Sequence, residues 1–168
     1  MLILVVLFLV LFLFYLHKRN QPKTYLFWNG DLHSTYRLAE LCKNTKVQPI
    51  FLFKNKSETK FINKLKLKIQ NKYKWSNNIL PIKFIKYKNN CWDKIIEISK
   101  KYKIFMETGL NKNNKLININ VIGCKTNCKI SKKCKYYNKF KYLRFPVYHL
   151  SDINIKNIIK KTNTCDIF

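Results

Sequence analysis

The residues best suited to chemistry lie in the run Thr24-Tyr-Leu-Phe-Trp-Asn-Gly-Asp-Leu-His-Ser-Thr-Tyr-Arg-Leu-Ala-Glu-Leu41. Its apolar start reads as a short buried strand, Asn29 to His33 as a tight turn, and Ser34 as the start of a helix. Free backbone N–H groups and the positive end of the helix dipole point out of such a turn, which makes it an anion site. Asn29, Gly30, Asp31, His33, Ser34 and Thr35 make up the turn and the helix start, and Lys54 lies at the end of the next strand. No residue declares itself as a catalytic group. Ser34 also reads as a helix N-cap. Asp31 reads equally as a turn residue that tolerates left-handed backbone, and His33 as a surface residue ahead of the helix.

Trp28-Asn-Gly-Asp-Leu-His-Ser-Thr-Tyr-Arg-Leu38 resembles the W-T-G-G-x-D-S-T-x-R-L run of proteins similar to 7-cyano-7-deazaguanine synthase. These are members of the PP-loop ATP pyrophosphatases, whose signature is S-G-G-x-D-S. Two later islands agree in order. Val47-Gln-Pro-Ile-Phe51 is similar to that family's V-Q-P and second strand, and Leu143-Arg-Phe-Pro-Val-Tyr-His-Leu150 looks like its R-F-P-L-x-D-L segment.

The resemblance implies a nucleotide-binding α/β domain that holds ATP with Mg²⁺ at the first turn, adenylates a substrate oxygen and releases pyrophosphate, with Asn29, Gly30, Ser34 and Thr35 holding the pyrophosphate and Lys54 neutralising developing charge. Asp31 stands where the family has its second glycine, and His33 where it has an acidic residue. A carboxylate about 4 Å from a phosphate charge repels it by roughly 4 kcal/mol at an effective dielectric near 20, unless Mg²⁺ bridges the two. The family also continues into a zinc-binding cysteine segment, where this chain carries just Cys165. The expectation is therefore a degenerate nucleotide-binding or scaffold domain with impaired catalysis. The alternatives are an active ATP pyrophosphatase or ligase acting on a small base or acid, and a lysine-rich nucleic-acid binder.

Positioning such a turn requires alternating strands and helices. Leu38, Leu41 and Cys42 mark the inner face of the first helix, and Val47 to Phe53 reads as a strand buried on both sides. Ser57 is a candidate cap for a basic helix with Phe61, Leu65, Ile69 and Tyr73 in register. Its lysine face is either solvated or turned to lipid or nucleic acid. Ile79 to Tyr87 reads as a third strand, Cys91 to Tyr102 as a helix with Trp92, Ile95, Ile96 and Ser99 inward, and Ile104 to Gly109 as a fourth strand. Glu107 at its end is a substrate or metal contact, or a solvent-exposed carboxylate. Leu116 to Ile122 is a further strand candidate. Ser151 caps a last helix with Ile155, Ile158 and Ile159 inward. The fold class expected is α/β, with a Rossmann-like, mostly parallel sheet of the adenine nucleotide alpha hydrolase type.

Residues 1–19 read as one N-terminal transmembrane anchor, 20–23 as a linker and 24–168 as the α/β domain, with a Cys/Lys-rich insert at about 123–142. The apolar run Met1 to Leu16 rises about 24 Å, less than a hydrocarbon core of about 30 Å, so thinning or snorkelling is required. His17, Lys18 and Arg19 follow it, which predicts a cytoplasmic C-terminal domain by the positive-inside rule. The net charge of +26 suits an anionic lipid surface or nucleic acid. Arg19, Arg37 and Arg144 are the only arginines, whereas nucleic-acid readers lean on arginine, so nucleic acid is the weaker expectation. Cys124, Cys128 and Cys134 lack a convincing fourth ligand, so zinc is not expected.

Overall fold

A computed structural model describes residues 2–20, 24–109, 141–147 and 150–162. The elements run α1 (Leu2–Asn20), β1 (Thr24–Phe27), α2 (Leu32–Cys42), β2 (Val47–Phe53), α3 (Lys56–Lys72), a 3₁₀ turn (Lys74–Asn78), β3 (Lys83–Lys86), α4 (Cys91–Tyr102), β4 (Met106–Thr108), β5 (Leu143–Arg144) and α5 (Asp152–Thr162). The five strands form one sheet in the order β3-β2-β1-β4-β5, and every pair is parallel. The α/β class and the Rossmann-like parallel sheet are as expected.

Pleat alternation splits the core into two layers. Leu26, Val47 and Phe51 face Leu38 and Cys42 of α2, Ile62 and Ile69 of α3, and Ile155 and Ile159 of α5. Phe27, Ile50 and Met106 face Trp92, Ile95, Ile96 and Ile98 of α4. β1 lies at the centre, hydrogen-bonded on both sides, which is why its residues must be apolar on both faces.

Several boundaries differ from the sequence expectation for local reasons. α2 starts at Leu32 because Asp31, not Ser34, is its N-cap. α3 starts after Asn55, whose N–H donates to the Glu58 carboxylate at 3.2 Å, so Ser57 is not the cap. Its core stripe is Ile62 and Ile69 with Leu65 beside them, while Phe61 is 60% exposed. β3 shrinks to Lys83–Lys86 because Pro81 supplies no N–H to the ladder. The segment ahead of it keeps one isolated bridge, Val47 to Ile79, and the Pro81 carbonyl accepts from the Gln48 amide. Among the described residues β3 is an edge strand, with Lys83, Phe84 and Lys86 exposed. Ser151 does cap α5, accepting from the Asn154 N–H at 3.1 Å. The strand expected at Leu116 to Ile122, the Cys124, Cys128 and Cys134 group, and Cys165 lie outside the described residues.

Among the described residues no helix is long and apolar enough to cross a membrane. The apolar part of α1, residues 2–16, rises about 23 Å. The expectation of a full single-pass span therefore finds no support in the structure. What α1 does present is an apolar surface on every side, with Leu4, Phe8 and Leu13 among the exposed residues.

Cys42 closes α2 at 0% exposure, and burial pushes its thiol up to about 12. Above pH 9 the unfolded chain loses this proton while the folded chain keeps it, so stability falls as pH rises from 9 towards 12. At pH 10 Cys42 is expected to lower stability by about 1.4 kcal/mol relative to pH 8. Urea unfolding at both pH values checks this, and Cys42→Ala should remove that share of the decline.

Candidate functional site

The β1–α2 turn opens at the carboxyl ends of the strands, beside the point where the chain switches from β1 outward through β2 and β3 to β4 and β5 on the other side. In open α/β sheets this crevice is where ligands bind. Gly30 takes the left-handed conformation, φ +81°, and a Cβ there would also meet Ile62 Cδ1 of α3 at 2.8 Å. Asp31 needs no such latitude, since its backbone is extended at φ −75° and ψ 171°.

Asn29 and Asp31 bond the turn from within. One oxygen of Asp31 accepts the Ser34 N–H at 2.7 Å, and the other accepts the Asn29 amide at 2.9 Å. The Asn29 oxygen accepts the Asp31 N–H at 3.1 Å and the Ser34 hydroxyl at 2.5 Å. The Asp31 carboxylate thus occupies the positive end of α2, where it stabilises the helix as a cap. Gly109, just past β4, closes the corner further. A Cβ on it would overlap the Ser34 backbone N and Cα. The Asp31 carboxylate stands where the resemblance would place phosphate, and among the described residues no group of three or more His, Cys, Asp or Glu is gathered.

The remaining predicted site residues disperse. His33 lies inside α2 and is 6% exposed rather than on the surface. Its Nε2 is 3.3 Å from both the Leu150 carbonyl and the Asp152 carboxylate, so it ties α2 to the start of α5. Thr35 accepts from the buried Trp28 indole N–H at 2.9 Å. Lys54 is exposed and sits 5.5 Å from the centre of the Tyr87 ring. Of the predicted set, Asn29, Asp31 and Ser34 share a cleft, and Gly30, His33, Thr35 and Lys54 do not line it.

That cleft lies on the α4 side of the sheet and encloses about 120 Å³. Phe27, Ile50, Leu52, Trp92 and Ile95 form apolar walls, and Asn29, Asp31 and Ser34 its polar rim. Thr108 also lines it and is 2% exposed, with a hydroxyl that has no hydrogen-bond partner among the described residues. Because Glu107 turns to the α2 face, pleat alternation turns Thr108 to the α4 face and hence to the cleft. Sequence reading missed Thr108 and Trp92 as cleft residues, because each carries only an ordinary core or strand-end signal. Cys91 sits at the edge, and its thiol is pushed up by burial first and then by the Glu58 carboxylate, against the pull of Lys54.

Glu107 is neither solvent-exposed nor open to a ligand. Arg37 grips its carboxylate through Nε at 2.6 Å and Nη2 at 3.2 Å, with Glu107 at 7% exposure, and Nη1 reaches Glu40 at 3.1 Å. Burial alone would lower the Arg37 pKa, but Glu107 and then Glu40 outweigh it and the guanidinium stays charged. The other two islands have structural partners as well. Gln48 closes on Pro81, while Leu143, Phe145 and Val147 are buried and Arg144 stacks 4.3 Å from the centre of the Phe105 ring.

Glu107→Gln should cost about 3 kcal/mol in urea unfolding, because it removes the buried counterion of Arg37 and leaves that charge with only the less buried Glu40. Joint replacement by Arg37→Met and Glu107→Leu should recover most of that loss. Gly109→Ala is expected to destabilise by about 2 kcal/mol through overlap with the α2 terminus, read in the same unfolding measurement. No protein-family model matches the chain, and no curated protein matches it.

Proposed function

We propose that this chain is a membrane-associated binding module that keeps the frame of a PP-loop-like nucleotide domain without its adenylating chemistry. The observation that carries the reading is the self-capped turn, in which Asp31 holds the α2 terminus that a phosphate would otherwise hold. Strand order and the place of the turn at the switch point support descent of the frame from a nucleotide binder. The exchange of a turn glycine for a carboxylate supports loss of the reaction.

The cleft beside the turn is then the binding site of the module. Cavities of ordinary small-molecule sites run from about 300 Å³ upward, and an apolar cavity of about 150 Å³ suffices for a benzene ring. A volume of about 120 Å³ with apolar walls and one unpartnered hydroxyl suits a single small apolar group that bears one hydrogen-bonding atom. It does not suit a whole nucleotide.

α1 supplies the membrane association in this reading. A helix that is apolar on all sides belongs inside a protein core or a bilayer, and the exposed side chains of α1 support the second. With about 23 Å of apolar rise it seats in a thinned bilayer or in one leaflet, and His17, Lys18 and Arg19 lie at the headgroups. The positive flank favours a cytoplasmic α/β domain.

Calorimetric titration of ATP with Mg²⁺ into the full chain in lipid nanodiscs is the test, run beside Asp31→Gly. The proposal expects no saturable heat from the natural chain and measurable binding once the carboxylate is removed. Binding by the natural chain together with pyrophosphate release would overturn it in favour of an active ATP pyrophosphatase.

A further inference from the structure

α3 has two faces of opposite character. Ile62 and Ile69 point into the core at 0% exposure. On the other side Lys56, Lys60, Lys64 and Lys68 recur once per turn and are all exposed. At 100° per residue, successive members of this row shift by 40°, so the four lysines form one shallow stripe about 18 Å long. Phe61 and Leu67 flank it at 60% and 58% exposure. Glu58 is the sole acidic residue of the helix, and its carboxylate is bound to the Lys54 and Asn55 N–H groups at 3.3 and 3.2 Å. The stripe therefore carries no compensating charge of its own.

We infer that this face of α3 docks on an anionic lipid surface, with Phe61 and Leu67 entering the headgroup boundary and the lysine row lying over the lipid phosphates. Phe61 and Leu67 on either side of the lysine row give this face apolar and cationic character together. An interfacial helix needs both, because its affinity sums apolar burial and attraction to anionic lipid. Lysines act here as point charges, which suits a fluid array of headgroups, whereas ordered phosphate recognition favours the bidentate fork of arginine. α3 contains no arginine. This docking deepens the membrane reading above but does not require α1 to span the bilayer.

The test uses the full chain with Phe61 replaced by the photocrosslinker p-benzoylphenylalanine, mixed with vesicles of phosphatidylcholine alone or with phosphatidylserine, and in parallel reconstituted in nanodiscs of the same lipids. A lysine near an anionic surface is worth about fivefold in binding. The lipid adduct is thus expected to rise at least about fivefold with phosphatidylserine, to fall in high salt, and to return to the neutral-lipid level in K60Q/K64Q/K68Q. Leu67→Ser should reduce the adduct in both lipids while keeping the ratio between them. Equal adduct in the two lipids, no adduct in either, or an adduct that moves from lipid to added RNA would overturn the docking. A chain that fails to enter nanodiscs yet crosslinks to phosphatidylserine vesicles would refute membrane insertion of α1 and leave the α3 face standing.

Discussion

The fork of Arg37 closed on the Glu107 carboxylate is the interaction on which the shape of the crevice depends. It joins the middle of α2 to the inner strand β4 across the sheet face. With α2 held at that azimuth, its first turn lies against Gly109, where no side chain has room. Desolvating a guanidinium and a carboxylate costs several kcal/mol per ion, and the two-point geometry with Glu40 as a third contact offsets much of it. Breaking the pair is consequently far more damaging than never having had it. The indole of Trp28 fixes the same helix from the strand side through Thr35.

This gives the first island a second meaning. Trp28, Ser34, Thr35 and Arg37 bond to residues of their own fold, to Thr35, Asn29, Trp28 and Glu107 respectively. The same residues build the strand, turn and helix corner. Asp31 belongs to that corner as its cap. Its carboxylate supplies a helix cap worth about 1 kcal/mol, and it opposes a neighbouring phosphate charge by several times that amount. One carboxylate can therefore favour the fold and disfavour an anion placed beside it.

Period and composition made much of the framework legible. β2 and α4 stand where the apolar run and the 3.6-residue pattern put them, and a parallel sheet followed from strands alternating with helices. Errors came where a side chain bonds locally. Asp31 and Asn55 each cap a helix ahead of the residue that composition favoured, with Glu58 bonding back to the Asn55 N–H, and Pro81 shortens β3. At α3 the four-residue spacing put Phe61 on the inner face with Leu65, Ile69 and Tyr73, and packing kept the last three but took Ile62 in place of Phe61. The site was least legible. Glu107 gives no sign in the sequence that a residue 70 positions earlier neutralises it. His33 gives none that α5 covers it. Both depend on long-range placement, which periodicity does not encode.

The outer strand β3 has a bearing on how copies of this chain coexist. A parallel sheet ending in a bare strand offers its unpaired backbone to any neighbour, and such a rim seeds fibrous stacking. Here the rim is four residues long and carries Lys83 and Lys86, with Pro81 just ahead of it. Two molecules crowded side by side would bring ammonium groups together before their amides could pair. The lysines of that margin thus keep neighbouring copies apart, independently of the chemistry of the cleft.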